Sequence, residues 1–449
     1  MKSILAVIVA FVLVLTLAFW AGWFESSRPN IILISVDTLR PDHLGCCGYD
    51  RPTSPTIDAL VSRGVLFAQA VCQMPMTAPS FCSIMTGTYP HTHGSRMNGM
   101  PLREGIVSLA ELLSEQGYRC AAFVSSYTVS DESSGLGLGF DTFDDDFRDK
   151  ERSAEGTNAR IAAYLNDLPS GPHFLWVHYF EPHRPYEFHT GSTLGDERPP
   201  PEGPLNTMDD AIVAVGRAFD LSLGLHHYVR LYDGEIAHAD DQIGVLLTDL
   251  AARGLLENSL IVFVSDHGES FDHAFYCRHG LFLYESSVRI ALAFVFPENQ
   301  DSGRRIDALV QSVDVMPTVC DWLGVRLPQG GEGRSLMPLI RGEDVRPEPA
   351  FLERRLYQKP NMAGVDGKQH AIRTEEWKYI LDTEKGEELY RLTEDRGELL
   401  NLAESEPERA AELRKKLKEW IAEARTDCDE APDLDEEARE KLKALGYIQ

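Results

Sequence analysis

Short apolar runs separated by amphipathic segments set the pattern of this chain. Residues 31–36 and 260–265 are two such runs, rich in isoleucine and valine, and they lead directly to Asp37 and Asp266. Runs without polar alternation are typical of strands that are covered on both faces of a parallel sheet. Because ligands of such sheets bind beyond the carboxyl ends of the strands, we expect Asp37 and Asp266 to share one crevice.

The rest of the pattern predicts strands that alternate with helices, followed by a smaller region of different character. Amphipathic spacing predicts helices over residues 54–63, 108–116, 157–167 and 231–252. Apolar runs predict further strands over residues 120–124, 174–178 and 291–296. Beyond a turn-rich stretch at 328–331, short strands are predicted over residues 371–373, 377–380 and 388–390, and helices over 407–425 and 434–445.

These elements predict an α/β fold class with a large, mostly parallel central sheet flanked by helices. A small C-terminal α+β subdomain with an antiparallel sheet is predicted to follow. We place the catalytic domain at residues 29–345 and the C-terminal subdomain at residues 346–449. A loop rich in proline and glycine, over residues 190–206, is expected beside the site.

The first 28 residues are predicted to form a membrane anchor and a short polar connector. Residues 4–24 are apolar except for Thr16, and about 20 such residues are enough to cross a bilayer as a helix. Lys2 is the only charge before this segment, which predicts a single-pass protein with its catalytic body on the extracytoplasmic side. The alternative is a cleaved signal peptide, which leaves a secreted or periplasmic body.

Composition narrows the class of partner. The 449-residue chain has a hydrophobic content of 43% and a formal net charge of -27. This charge argues against a nucleic-acid partner, because phosphate contacts need an excess of lysine and arginine. An anionic substrate must therefore meet positive charge that is supplied locally. The eight cysteines include no Cys-x-x-Cys pair, so neither a zinc ribbon nor a thiol redox motif is indicated.

Residue types near the predicted strand ends suggest a metal site and a nucleophile. Asp37, Asp266 and the adjacent His267 can hold a divalent cation, because carboxylates suit hard cations and an imidazole also suits zinc or manganese. Thr77, in Met76-Thr77-Ala78-Pro79-Ser80, stands near a predicted helix start and is the candidate nucleophile. The alternative for each of these residues alone is a helix cap. The carboxylates along residues 232–250 are typical of a solvated helix face.

Several segments, taken in order, resemble the sulfatase family, which belongs to the alkaline phosphatase superfamily. The matching segments are Asp37-Thr38-Leu39-Arg40, Thr77-Ala78-Pro79-Ser80, Glu181-Pro182-His183-Arg184-Pro185, Ser265-Asp266-His267-Gly268-Glu269, His279-Gly280, Leu283-Tyr284-Glu285, Asp314-Val315-Met316-Pro317-Thr318 and Trp377-Lys378-Tyr379. Each segment alone is weak, but their order is specific and covers nearly all of the chain after residue 28. The resemblance implies an alkaline-phosphatase-like fold and hydrolysis of sulfuric esters.

The resemblance also implies roles for particular side chains. One divalent cation, calcium first with manganese, magnesium or zinc as alternatives, is implied to be held by Asp37, Thr77, Asp266 and His267. His183 and His279 are implied to contact the transferred group or to protonate the leaving oxygen, a task suited to a histidine because its pKa lies near neutrality.

Two further residues are candidates for substrate binding. Arg40 could supply a fixed positive charge, or could instead pair with Asp42 at the surface. His178 lies at a predicted strand end, and its alternative role is to support the site from behind.

The chain departs from the sulfatase pattern at the nucleophile. The family carries a cysteine or serine there, within Cys/Ser-x-Pro-x-Arg, and converts it to formylglycine. Thr77 allows no such conversion, and Phe81 stands at the arginine position. Ser125-Ser126-Tyr127 stands where the family carries a lysine and a histidine. We therefore expect no formylglycine, and release of the group from Thr77 requires attack by water at sulfur or phosphorus.

Three functions follow from these residues. The first is a metal-dependent sulfatase-type hydrolase that cleaves sulfuric esters with Thr77 as nucleophile, on a glycan, a lipid head group or a small molecule. The second is a phosphate mono- or diester hydrolase, or a phosphotransferase, that uses the same threonine. The third is a non-catalytic binding protein on a sulfatase scaffold.

Overall fold

Residues 28–147, 150–189, 225–272, 275–357, 367–424 and 436–444 are described by the structure, a computed structural model. The strands are β1 (Asn30–Val36), β2 (Val65–Val71), β3 (Arg119–Phe123), β4 (Thr142–Asp144), β5 (His173–Tyr179), β6 (Ser259–Ser265), β7 (Ser270–Asp272), β8 (Phe275–Arg278), β9 (Arg289–Ile290), β10 (Leu292–Val295), β11 (Arg304–Gln311), β12 (Ala350–Tyr357), β13 (Gly367–Arg373), β14 (Trp377–Asp382) and β15 (Gly386–Arg391). The α-helices are α1 (Pro55–Val61), α2 (Thr77–Thr86), α3 (Pro90–His93), α4 (Leu109–Glu115), α5 (Asp131–Ser134), α6 (Ala154–Asn166), α7 (Leu225–Ala252), α8 (Glu285–Val288), α9 (Val315–Leu323), α10 (Met337–Ile340), α11 (Pro407–Glu423) and α12 (Glu436–Ala444). The predicted α/β fold class is confirmed.

The large sheet has nine strands in the order β11-β2-β10-β6-β1-β5-β3-β4, with β9 paired to β2. β1 lies between β5 and β6 and is parallel to both, with Val36 opposite Tyr179 on one side and Ser265 on the other. β10, the strand predicted over residues 291–296, runs antiparallel to both β6 and β2. Because β1 and β6 end at the same level, the residues that follow them lie side by side.

Helices cover both faces of this sheet, which explains why its strands lack polar alternation. α2, α4 and α9 pack on one face, and α1, α6 and α7 pack on the other. Ile31 and Leu33 of β1 belong to the first layer, and Ile32 and Ile34 belong to the second. Burial of each such side chain contributes about 1.5–3 kcal/mol, so the two layers hold the strand ends firmly in place.

α7 corrects one sequence-based prediction, because three of its carboxylates are buried rather than solvated. Asp233, Glu235 and Asp240 are each at most 2% exposed. The Asp240 carboxylate accepts hydrogen bonds from the backbone N–H groups of Thr56 and Ile57 at 2.9 and 2.7 Å. Asp240 therefore satisfies the free N–H groups at the start of α1 from a distant part of the chain.

The second sheet has four antiparallel strands in the order β12-β13-β14-β15. The predicted short strands lie within β13, β14 and β15, whereas β12 was not predicted. α11 packs on this sheet, with Leu413 and Leu417 in one apolar cluster with Tyr379 and Leu389. The exact domain boundary at residues 345–346 stays a prediction.

A buried ion pair ties β12 to the large domain. Glu353 Oε2 lies 2.7 Å from Arg96 Nη2, and Glu353 Oε1 accepts a hydrogen bond from the backbone N–H of His91 at 3.0 Å. Burial raises the pKa of Glu353, but its hydrogen bond with the His91 ring and the charge of Arg96 outweigh burial and lower this pKa to about 2. The folded-state pKa lies below the usual 4.5, so the stabilisation is present above about pH 4.5 and is lost as the pH falls towards 2.

We expect Glu353→Gln to lower the free energy of unfolding by about 3 kcal/mol near neutral pH, because Arg96 then stays buried without its charged partner. The difference from wild type should shrink on acidification through the same pH window, since the wild-type carboxylate is then protonated. Urea unfolding over a pH series measures both effects, with the exposed Glu404→Gln as control. A difference that does not change with pH would contradict this account.

The single-pass membrane location that was predicted from the sequence is corrected. Residues 4–24, on which that prediction rested, lie outside the described residues. Within the described ranges, no helix is both long and apolar enough to cross a bilayer. The longest of them, α7, has 28 residues but carries several charged side chains. The anchor with an extracytoplasmic body is therefore not retained. The loop predicted over residues 190–206 also lies outside the described residues.

Candidate active site

The strand ends of β1 and β6 bring the predicted cation ligands together. Because Val36 and Ser265 are paired in parallel register, Asp37 and Asp266 leave the sheet side by side, and His267 follows at once. His267 Nε2 lies 3.3 Å from Asp266 Oδ2, 3.9 Å from Asp37 Oδ1 and 3.4 Å from Thr77 Oγ1. Ligand atoms of the two aspartates and the histidine all lie within 4.8 Å of one another.

The hydrogen bonds within this group leave several ligand atoms without a partner among the described residues, as expected of a cation site. Asp266 Oδ1 accepts hydrogen bonds from the backbone N–H groups of Thr38 and His267 at 3.0 and 2.7 Å. Both oxygens of Asp37 and the Oδ2 of Asp266 are buried and have no hydrogen-bond partner among the described residues. His267 Nδ1 donates to the carbonyl of Gly268 at 2.9 Å, which leaves a lone pair on Nε2. These unpartnered oxygens and this lone pair fit a divalent cation.

The crowding of carboxylates is visible in their pKa values. Burial raises the pKa of Asp37 well above its usual value, and the charges of Asp266 and Glu269 raise it further, while the Thr77 hydroxyl lowers it. Burial also raises the pKa of Asp266, although the charge of His267 and backbone N–H groups oppose this. Carboxylates so close together disfavour each other's ionised form, and a bound cation removes that conflict.

The backbone around the ligands is fixed by contacts from other elements. Thr38 has a φ of 53°, an uncommon value for a residue with a side chain, and its carbonyl accepts a hydrogen bond from the Tyr232 hydroxyl at 2.6 Å. Gly268 is so closely packed that a Cβ there would lie 2.1 Å from the carbonyl oxygen of Ser286 in α8. Only glycine fits beside His267 at this position, so α7 and α8 set the shape of both ligand loops.

Thr77 is the first residue of α2, and Met76 rather than Thr77 occupies the capping position. The capping alternative therefore does not account for this threonine. The backbone N–H of Ala78 donates to Asn98 Oδ1 at 2.9 Å, and the Ser80 hydroxyl donates to the Asp266 carbonyl at 2.6 Å. The start of α2 is thus attached to the loop that carries the predicted cation ligands Asp266 and His267. The positive end of the helix dipole favours negative charge on the Thr77 oxygen.

His183 and His279 form a pair next to His267. Their ring centroids are 5.2 Å apart, and the His279 centroid is 4.4 Å from that of His267. His183 Nδ1 donates to the Arg184 carbonyl at 2.7 Å. Burial lowers the pKa of His183 well below its usual value, and the charges of His279 and Arg184 lower it further, so its ring is neutral. His279 Nδ1 instead lies 3.3 Å from the carboxylate of the fully buried Glu269.

Arg40 makes its polar contacts with neighbouring residues. Its guanidinium donates to Asp42 at 2.8 and 3.1 Å and to the carbonyl of Glu269 at 3.0 Å. The pair with Asp42 is therefore present, although the Arg40 side chain is only 12% exposed. Through these bonds Arg40 holds the backbone of Glu269, while direct contact between Arg40 and a substrate stays a prediction.

His178 lies behind Asp37. It is fully buried, its Nε2 lies 3.7 Å from Asp37 Oδ2, and its Nδ1 accepts a hydrogen bond from the Ser125 N–H at 3.2 Å. Burial lowers the pKa of His178 to about 3, so a neutral ring turns its Nε2 proton towards Asp37. The Phe81 ring packs edge-on against it with centroids 5.0 Å apart. This placement favours a role for His178 in supporting Asp37 from behind over contact with the substrate. Phe81 and Ser125 hold the His178 ring in place, and neither side chain carries a charge.

Three residues of the site had no role assigned from the sequence. Glu269 and Tyr186 lie inside or beside the matched segments, and the Tyr186 hydroxyl donates to Glu269 Oε2 at 3.0 Å. Asn98 lies outside those segments, and its buried Nδ2 has no hydrogen-bond partner among the described residues. The segment order was a usable signal for Glu269 and Tyr186. No motif in the sequence pointed to Asn98.

Comparisons with known proteins agree with this geometry. Residues 29–325 match the Sulfatase family model, and residues 272–427 match a model described as N-sulphoglucosamine sulphohydrolase, C-terminal. The chain is similar to a Delta 4,5-hexuronate-2-O-sulfatase of Bacteroides thetaiotaomicron, with 25% identity over 89% of this chain and 90% of that protein. It is also similar to an arylsulfatase of Clostridium perfringens, with 27% identity over 87% of this chain and 94% of that protein.

A solved structure shows that the fold is shared more widely. The phosphonate monoester hydrolase of Agrobacterium radiobacter superposes with a TM-score of 0.70 at 22% identity, over 88% of this chain and 95% of that one. The sulfatase match spans well over half of the chain and includes the β1 and β6 loops and the start of α2. The resemblance seen in the sequence is thereby confirmed. The chain belongs to the sulfatase family and is a hydrolase that acts on sulfuric or phosphoric ester bonds.

Proposed function

We propose that this chain hydrolyses a monoanionic ester, first of all a sulfuric ester, in two displacements with Thr77 as the nucleophile. The observation that carries the proposal is the position of the Thr77 hydroxyl, 3.4 Å from His267 Nε2. That hydroxyl stands beside buried carboxylate oxygens that have no hydrogen-bond partner among the described residues. A helix start fixed to the ligand loop keeps the oxygen in place.

The side chains of Asp37, Thr77, Asp266 and His267 are proposed to hold one divalent cation. Calcium is the first candidate by family resemblance, and the imidazole also admits manganese, magnesium or zinc. When bound, such a cation lowers the pKa of a coordinated hydroxyl and withdraws charge from the ester oxygens. His178 and Thr38 keep the two carboxylates oriented.

Bond changes in the proposed reaction take place at sulfur. The Thr77 oxygen, having lost its proton to water, forms a bond to sulfur while the bond from sulfur to the leaving oxygen breaks. The leaving oxygen takes up a proton, and a sulfuric ester of Thr77 remains. Water then attacks the sulfur of that ester and gives up a proton, and the departing Thr77 oxygen is reprotonated. The neutral His183 ring, with its proton fixed on Nδ1, is a hydrogen-bond acceptor that can orient this water.

His279 is proposed to protonate the leaving oxygen. The Glu269 carboxylate beside Nδ1 stabilises positive charge on the ring, as a carboxylate does in a Ser-His-Asp triad. We expect His279→Ala to slow cleavage of alkyl esters about 100-fold, and of aryl esters with acidic phenols much less, because a good leaving group needs no proton. Values of kcat/KM across leaving groups of different pKa measure this, with the exposed His226→Ala as control. If His279→Ala lowers kcat/KM equally for alkyl and aryl esters, His279 is not the acid that protonates the leaving oxygen.

Local charge favours a substrate with one negative charge. Three buried carboxylates, those of Asp37, Asp266 and Glu269, crowd the site. Phe81 and Ser125 are neutral where the sulfatase pattern carries cations. A sulfuric ester or a phosphodiester, each with a single charge, is therefore repelled less than a phosphate monoester dianion. Arg184, whose charge lowers the pKa of both His183 and Glu269, supplies positive charge that offsets part of the negative charge of these carboxylates.

A phosphodiester is the second candidate, and the identity of Thr77 is the observation that favours it. A threonyl ester has no second hydroxyl through which the bound group can be expelled. Direct attack by water on the bound group is required, and phosphoryl-transfer branches of the superfamily that the chain resembles use threonine or serine in this way. Transfer to an acceptor alcohol instead of water belongs to the same candidate.

A substrate panel separates these candidates. We expect the lowest kcat/KM with an aryl phosphate monoester, because its second negative charge is repelled by the buried carboxylates. The aryl sulfate is expected to exceed the aryl phosphodiester on the ground of the sulfatase family match alone. A phosphodiester that is cleaved faster than the sulfate establishes the second candidate. Fastest cleavage of the phosphate monoester would contradict both. Similarity to the hexuronate sulfatase and the arylsulfatase makes sulfated sugars and aryl sulfates the first classes of natural substrate to test, with lipid head groups after them.

A further inference from the structure

A polar cavity lies between the large sheet and the C-terminal sheet, away from the candidate active site. It has a volume of about 210 Å³, and its walls come from β2, β9 and β11 on one side and from β13 and the turn after β15 on the other. Four of its lining residues are arginines, namely Arg289, Arg305, Arg373 and Arg396. We call it the arginine cavity. The chain has a net charge of -27, so four guanidinium groups around one cavity are a local concentration of positive charge.

Arg373 is the buried member of this group. Its side chain donates to Gln69 Oε1 at 2.8 Å and to Glu285 Oε2 at 3.3 Å, and the residue is 3% exposed. Its Nε is also buried, yet it has no hydrogen-bond partner among the described residues. A buried guanidinium N–H is normally satisfied by an acceptor, so this atom indicates an acceptor that comes from outside the described chain.

Arg289 and Arg396 are not paired with carboxylates in the part of the chain that the structure describes. Arg289 donates to the backbone carbonyl of Ala68 at 3.3 Å. Two of the cavity's carboxylates pair with the other two arginines, Glu285 with Arg373 and Asp307 with Arg305, each at 3.3 Å. Glu285 also lies 3.1 Å from Lys378 Nζ, which shares its negative charge. The third lining carboxylate, that of Glu375, is exposed to solvent. Positive charge therefore remains available on the cavity wall.

We propose that the arginine cavity binds a tetrahedral oxyanion, sulfate or phosphate, either free or as a group on a larger molecule. Planar guanidinium groups suit such oxygens because they form paired, charge-assisted hydrogen bonds. The volume is ample, since a water molecule occupies about 30 Å³ in the liquid. None of the proposed catalytic or cation-binding residues lines the cavity, so this inference does not depend on the reaction at Thr77.

Calorimetric titration of the full chain with sodium sulfate and with sodium phosphate, at constant ionic strength, tests the proposal. We expect saturable binding that becomes about tenfold weaker in Arg396→Gln, which removes an exposed arginine of the wall. Arg326→Gln is the matched control, because it makes the same charge change on an exposed arginine outside the cavity. Equal affinities in the two variants, or no saturable binding in wild type, would overturn the proposal.

A second readout separates this cavity from the proposed active site. Sulfate that binds at the active site acts as a competitive product inhibitor, so its inhibition constant reports on that site alone. Arg396→Gln should leave this constant and kcat unchanged while it weakens calorimetric binding. If the inhibition constant rises in Arg396→Gln as the calorimetric affinity falls, the anion binds at the active site and the proposal fails.

A comparison of inorganic sulfate with a sulfated disaccharide shows whether the oxyanion is a free ion or a group on a larger molecule. Tighter binding of the disaccharide, lost in Arg396→Gln, identifies a group carried on a larger molecule. Binding of the inorganic ions alone identifies a free anion. Either outcome supports oxyanion binding in the arginine cavity. If Arg396→Gln binds both probes as tightly as wild type does, the proposal is overturned. Arg289→Gln repeats the test from the opposite wall.

Discussion

Thr77→Ala is expected to lower kcat by about 10⁴-fold or more, because removal of a nucleophile leaves only the small contribution of substrate binding. Thr77→Ser should keep most of the activity, since a serine hydroxyl can occupy the same place at the start of α2. Steady-state rates with an aryl sulfate and an aryl phosphodiester measure both variants. The loss should be the same for whichever ester the wild type cleaves, because both candidate reactions use the same oxygen.

The control for this prediction lies on the same helix. Thr86 is also buried, and its hydroxyl donates to the Cys82 carbonyl at 2.6 Å, so Thr86→Ala removes a comparable group far from the cation ligands. It should cost some stability but leave kcat near the wild-type value. If Thr77→Ala retains full turnover while cation binding is intact, the nucleophile assignment fails. A wild-type chain that binds a cation yet cleaves none of the panel esters would contradict the proposed reaction.

Asp37→Asn is expected to have opposite effects on the stability of the metal-free and the metal-loaded protein. Without a cation, the variant should be more stable than wild type by about 1–2 kcal/mol, because a neutral amide replaces a carboxylate that is buried beside Asp266 and Glu269. With a cation, wild type gains stability by mass action, about 4 kcal/mol when the ion is at 1,000 times its Kd. The variant should gain little, and its kcat should fall about 10³-fold.

Melting temperatures after chelation and after addition of calcium or manganese measure this crossover, and elemental analysis counts bound ions. Asp146→Asn, which changes a carboxylate that is 89% exposed, is the control and should melt as wild type in both states. A wild-type melting temperature that does not respond to either ion, with no ion bound, would remove the cation site. Binding of an ion with equal affinity by Asp37→Asn would assign that ion to other residues.

Much of the fold could be predicted because its strands are buried on both faces. The runs that became β1 and β6 contain almost no polar alternation, and that pattern is typical of strands that are covered on both faces of a sheet. Direction could not be predicted for β10, since an apolar run has the same composition whether it runs parallel or antiparallel. The carboxylates of α7 were misplaced for a related reason. Asp240 is buried because Thr56 and Ile57 need an acceptor, and those residues are distant in the chain.

The residues of the candidate site that follow strand ends, or that lie in the segments that resemble the sulfatase family, could be predicted from the sequence. Asp37, Asp266 and His267 followed from the strand ends, and Thr77, His183 and His279 followed from the order of the matched segments. The supporting contacts did not follow, because each joins residues far apart in sequence. Asn98 accepts from Ala78, and Ser125 fixes the His178 ring, through single hydrogen bonds that leave no periodic trace.

Accurate-mass peptide mapping of the chain, quenched during turnover of an aryl sulfate, is the most direct test of the central claim that Thr77 forms the covalent intermediate. We expect a sulfated peptide whose fragmentation places the added mass on Thr77, with no adduct in Thr77→Ala or after chelation. With a phosphodiester, accurate mass distinguishes the corresponding phosphorus adduct from sulfate. An adduct on another residue, or cleavage of the ester by Thr77→Ala at the wild-type rate, would contradict the role of Thr77 as the nucleophile.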